Sequence, residues 1–168
     1  WTSGNSLPIT GNYYLTQNVV VDKMTVLTGT LCLNGYTISA KDGGCPVEVS
    51  SGELNLTDCA AELGSVIAAK DQAIVVYSSG KANIFNGVIR GGSGSGIHIG
   101  PFAANGNVII YGGKITGSQT GIYLNSSRNS LTIGGDANVT GSTRNVYLDS
   151  GVLTIDPSLT QAARIGIT

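Results

Sequence analysis

Residues 97–140, IHIGPFAANGNVIIYGGKITGSQTGIYLNSSRNSLTIGGDANVT, contain the same unit twice. Ile97-His98-Ile99 answers to Ile122-Tyr123-Leu124, Val108-Ile109-Ile110 to Leu131-Thr132-Ile133, and Ile115-Thr116 to Val139-Thr140. The outer residues of each triplet are apolar and the middle one varies, the period-two pattern of a strand with one buried face. Outward from this pair, all three series continue. The first adds Val47-Glu48-Val49, Ile74-Val75-Val76 and Val146-Tyr147-Leu148. The second adds Leu31-Cys32-Leu33, Leu54-Asn55-Leu56, Ala82-Asn83-Ile84 and Leu153-Thr154-Ile155. The third adds Thr37-Ile38, Val66-Ile67, Val88-Ile89 and Ile165-Gly166-Ile167. Each series recurs about every 24 residues, a period that signals stacked repeats. Turn residues that tolerate positive φ, such as Asn34-Gly35, Asn86-Gly87 and Gly112-Gly113, link the second series to the third.

Many short strands also suit an antiparallel sandwich, but equivalent triplets at a near-constant period require each turn to lie on the one before. The expected fold is all-β: a parallel β-solenoid of triangular section, with about six coils of three short strands each. One domain spans residues 1–168. Residues 1–18, which break the pattern and contain Trp1, are expected to cap the stack, and residues 19–168 to form the coils. The strand at Arg164-Ile165-Gly166-Ile167 completes the sixth coil, so the natural chain is expected to continue into a larger protein.

Composition agrees. The 168 residues include 25 glycines, only 11% are charged and 41% are hydrophobic, enough apolar content to exclude a disordered chain. The longest apolar run, residues 73–77, is far shorter than a membrane-spanning helix. Nine basic residues against ten acidic ones give a net charge of −1, with no Lys/Arg cluster to neutralise phosphates, so nucleic acid is not an expected partner. Cys32, Cys45 and Cys59 lie far from His98, the one histidine, and lack the paired spacing of a zinc site; no metal or cofactor is expected. One disulfide and a spare thiol fit an exported protein, and three pairings are open.

A family resemblance rests on three runs: Tyr14-Leu15-Thr16; Gly29-Thr30-Leu31-Cys32-Leu33-Asn34-Gly35-Tyr36-Thr37-Ile38; and Leu54-Asn55-Leu56-Thr57-Asp58-Cys59. With the ending Asn145-Val146-Tyr147-Leu148 followed by Ala163-Arg164-Ile165-Gly166-Ile167-Thr168, these resemble the right-handed parallel β-helix (pectin-lyase-like) repeats in surface proteins of gut-dwelling Gram-positive bacteria. The resemblance implies a right-handed, single-stranded parallel β-helix, export to the bacterial cell surface, and Cys32 paired with Cys59. It says little about activity, because such repeats serve enzymes, adhesins and spacers alike.

Polysaccharide lyases and hydrolases need two carboxylates, or an acidic cluster with a base, on one face. The ten acids are scattered, and the nearest pair, Glu48 and Glu53 across a corner, reads as solvated surface. Lone His98 lacks a partner in sequence to act as a general base. A non-catalytic module is therefore expected. On the first sheet the outward column is Glu48, Val75, His98, Tyr123, Tyr147, so the three rings should stack in a ladder. The second-sheet column is taken as Cys32, Asn55, Asn83, Ile109, Thr132, Thr154. Phe102, on the longest corner insertion, with Arg128 and Arg144 would extend the ladder into an aromatic and basic patch. These six residues, His98, Phe102, Tyr123, Arg128, Arg144 and Tyr147, are the candidate ligand site. The expected partner is a host glycan or a secreted host protein such as an immunoglobulin or mucin, bound by a monomer without membrane insertion. A structural stalk is the rival expectation, and a polysaccharide-active enzyme the third.

Overall fold

The computed structural model of the chain describes residues 10–22, 24–100 and 105–167. Among these the fold is entirely β, with parallel strands stacked into a β-solenoid of about five turns. Three faces wrap one apolar core. The third face is the plainest: β2 (Val19–Val21), β4 (Thr37–Ala40), β6 (Ser65–Ile67), β9 (Val88–Arg90), β12 (Lys114–Gly117) and β14 (Asn138–Gly141) pair in chain order. Five of these rungs belong to the third series, whereas Val19–Val21 was not anticipated, and the stack makes about five turns rather than the six coils expected.

The first and second faces share one sheet. β3 (Met24–Cys32), β5 (Val47–Thr57), β13 (Thr120–Ile133) and β15 (Arg144–Ile155) each run through the corner between them as single bent strands. The sequence reading expected two separate strands in every coil. The corner stays in the ladder because Gly52 and Gly151 adopt φ of 82° and 113°, which lets β5 and β15 turn without breaking. Elsewhere the coil is split as expected, into β7 (Ile74–Val76) and β8 (Lys81–Ile84), and into β10 (Ile97–Ile99) and β11 (Asn107–Ile110).

On the first face the register matches the first series: His98 faces Val75 and Tyr123, and Tyr123 faces Tyr147. On the second face the reading slips by two residues at one rung. Thr30, not Cys32, aligns with Asn55, while Cys32 aligns with Thr57. A slip of two preserves the inward–outward alternation, and Leu33 is as buried as Leu31, so periodicity does not detect it. Ile165-Gly166-Ile167 is likewise not one strand. Arg164 bridges Asn138 on the third face and Ile167 bridges Val146 on the first, so this segment rounds a corner. Thr10–Tyr14, inside the stretch read as a cap, forms β1 and pairs in parallel with β3. Trp1 lies outside the described residues.

Inward columns such as Ile74, Ile97, Ile122, Val146 and Val66, Ile89, Ile115, Val139 are fully buried. Each such side chain contributes about 1.5–3 kcal/mol by leaving water. The corner between the third and first faces is built from glycine because adjacent coils touch there. A Cβ on Gly121 would sit 2.6 Å from Asn145 O and 2.7 Å from Val139 Cγ1, closer than packing permits. This tight corner delivers Thr120 and Tyr123 to the first face.

Candidate functional site

The expected ring ladder is present. His98 and Tyr123 stack with centroids 4.9 Å apart and planes 12° from parallel; Tyr123 and Tyr147 stack at 5.2 Å and 10°. These separations are one inter-strand spacing, as in-register strands dictate. The Arg144 guanidinium lies over the Tyr147 ring, 4.0 Å from its centroid, within cation–π range. Both faces of Tyr123 are therefore turned to neighbouring rings and those of Tyr147 to Tyr123 and Arg144, while the other neighbour of His98 in register is Val75.

Beside the ladder runs an open groove of about 280 Å³, lined by Gln72, Ser93, Gly94, Ser95, Gln119, Thr120, Tyr123, Arg144 and Tyr147. Its far wall repeats: Gln72, Ser95, Thr120 and Arg144 each stand two residues before the first triplet of their coil, and Thr120 pairs directly with Arg144. Sequence reasoning picked out Arg144, Tyr123 and Tyr147 and missed the amide and hydroxyl wall. Carrying the aligned triplets two residues back would have found it.

The other candidates separate. Arg128 is exposed on the opposite corner of the first face, after Leu124, and is not a lining residue of this groove. Phe102 lies outside the described residues. Gly100 and Gly106 are both held by Asn129, a buried side chain no sequence signal flagged. Asn129 Oδ1 accepts from Gly106 N–H at 3.1 Å, and Nδ2 donates to Gly100 O at 3.0 Å. A polar residue is tolerated there because its amide answers backbone groups of Gly100 and Gly106.

Burial lowers the His98 pKa from its ordinary value; the Asn125 side chain and the Asp71 carboxylate act in the opposite direction. The acids divide by face. Glu48 is buried on the first face, correcting its reading as solvated surface, whereas Glu53 belongs to the second, where Oε1 accepts from Asn83 Nδ2 at 2.7 Å. Asp58 is also buried: its carboxylate accepts N–H groups from Gly35, Ala60 and Gly64, pinning the turn after the second face. Cys32 and Cys59 form a disulfide with Cα atoms 6.2 Å apart, and Cys45 is a free thiol whose pKa burial pushes up to about 12.

A second stack was not anticipated. Phe85 and Tyr111 lie 5.3 Å apart with planes 11° from parallel, both exposed on the second face, beside a groove shared with Glu53, Lys81, Asn83, Asn107 and Ile109. Each ring directly follows the inner residue closing its second-series triplet, Ile84 or Ile110, one position past where that reading stopped.

Compared with known proteins, the chain matches no family model, no curated protein and no solved structure. The fold is shown by its own repeat; the pectin-lyase-like and gut-bacterial resemblance rests on the sequence runs alone.

Proposed function

We propose that this chain is a non-catalytic binding module of an exported bacterial surface protein, engaging a host glycan or a secreted host protein through the groove beside the ring ladder. The observation that carries this reading is the composition of that groove. Two tyrosine edges, a guanidinium, amides and hydroxyls converge on one open cleft, and Tyr and Arg are the residue types that dominate binding hot spots. A nucleophile with an adjacent base, the requirement for covalent catalysis, does not line it.

The test is a binding screen of the 168-residue chain against a glycan array and a panel of secreted host proteins, immunoglobulins and mucins included. A ligand bound by wild type and lost in Tyr147→Ala supports the module and locates its face. A structural stalk is the second reading, favoured by the mutual covering of the ladder's ring faces. Silence across both panels, with Tyr147→Ala altering stability alone, would establish it.

A further inference from the structure

Resting on the binding-module reading, we infer that the ladder groove is a docking site for a protein partner that inserts a carboxylate side chain against Arg144. Ring geometry favours a protein over a glycan, and charge names the group it inserts. Sugars bind aromatic residues by laying a C–H face on an open ring face, but His98 and Tyr123 cover one another, Tyr123 covers Tyr147, and Tyr147 is also overlaid by Arg144. What the two rings that line the groove, Tyr123 and Tyr147, leave to a ligand is edges and phenolic hydroxyls, which serve hydrogen bonding and apolar side-chain contact rather than sugar stacking.

The second observation is charge. Arg144 is half-buried, and its guanidinium meets no carboxylate among the described residues; the ion pair found there, Lys41 with Asp22, involves neither Arg144 nor its groove. Among the described residues, no acidic side chain lines the cleft. Contact with the Tyr147 ring holds the guanidinium against the groove, and its fork of N–H groups suits a two-pronged contact with a carboxylate. Gln72, Gln119, Ser93 and Thr120 supply neutral donors and acceptors around it, so one partner Asp or Glu is the charged group the cleft complements. The surrounding flat sheet face offers room for the polar rim that a protein interface requires.

The test is selection of a phage-displayed library of random disulfide-constrained nonapeptides on the immobilised 168-residue chain, run beside a glycan array. The expected result is enrichment of Asp- or Glu-containing peptides whose affinity falls at least about tenfold with Arg144→Gln and hardly changes with Arg128→Gln. Arg144→Lys, which keeps the charge and loses the fork, should fall between. If Arg144→Gln fails to fold, Gln119→Glu on the exposed rim reads the same point by repelling acidic peptides. Enriched peptides without acids, or indifferent to both variants, would overturn the inference. Glycans bound through the groove without peptide enrichment would overturn the partner class and leave the module standing; failure of both arms would sink both.

Discussion

Tyr123 is held between two rings, so its side chain stabilises the coil as well as lining the groove. Tyr123→Ala should cost about 1–3 kcal/mol in urea unfolding, because it removes two stacks and opens a gap in the ladder, whereas Tyr123→Phe should stay near wild type. His98 carries a pH dependence whose sign follows from its burial. The folded protein resists protonating this imidazole, so below the ordinary value of 6.5 the unfolded chain binds a proton that the folded chain refuses. Its contribution is complete above that value and declines as pH falls toward the lowered folded-state pKa. The urea midpoint should therefore drop between about pH 7.5 and 5.5, and His98→Gln should flatten the slope over that window; an identical slope in the variant would refute the assignment. The ladder was legible because a column of side chains follows from the period once the triplets are aligned. Asn129 and Asp58 were not, since their partners are backbone N–H and carbonyl groups, which no pattern of side-chain types records.

At the scale of strands and corners, the repeat identified most elements, yet it passed over β1 and β2, read Ile165-Gly166-Ile167 as one strand and misplaced one rung of the second face. Leu31-Cys32-Leu33 and Gly29-Thr30-Leu31 both end on an inward leucine, and the true partner of Asn55 is Thr30. The difference lies in where the corner begins, and Leu33 continues the inward pattern into the turn instead of ending it. That placement sets Cys32 beside Thr57 and within reach of Cys59, closing a separation of 27 residues across adjacent coils. In the chain-entropy account, a loop of this length contributes about 3.5 kcal/mol by restricting the unfolded state. The double variant Cys32→Ser, Cys59→Ser should lose about that amount in the presence of denaturant. Cys45 behaves differently, because burial holds its thiol protonated up to about pH 12. At mildly alkaline pH it should resist a thiol-reactive disulfide reagent in the native protein and react once the chain is unfolded; equal rates in both states would show that the corner at Cys45 opens freely.

For the whole molecule, a solenoid confines each coil's contacts to its neighbours, so stability is a sum along the stack and need not be uniform. Central rungs are packed on both sides: Ile97, Ile99, Ile122 and Leu124 are fully buried. In β15 the inward residues Leu148 and Leu153 are only partly covered, and Val152 and Ile155 are exposed. Amide hydrogen exchange should accordingly be slowest in β10 and the first half of β13, and clearly faster through β15. The groove straddles this gradient. Gln72, Ser95, Thr120 and Tyr123 stand on well-packed coils, whereas Arg144 and Tyr147, which carry its charge and its last ring, stand on β15. A ligand that bridges the two must recruit β15 to the stable part of the stack. Because a ligand favours the state it binds by RT ln(1 + [L]/Kd), a hundredfold excess over Kd should add about 2.7 kcal/mol to the opening free energy of those amides. Protection gained in β15 and not in the third-face strand β6, measured with and without an acidic peptide selected on the groove, would show the site acting on the molecule. Protection spread evenly over the stack would mean that the coils unfold as one unit, and that β15 owes its order to global stability.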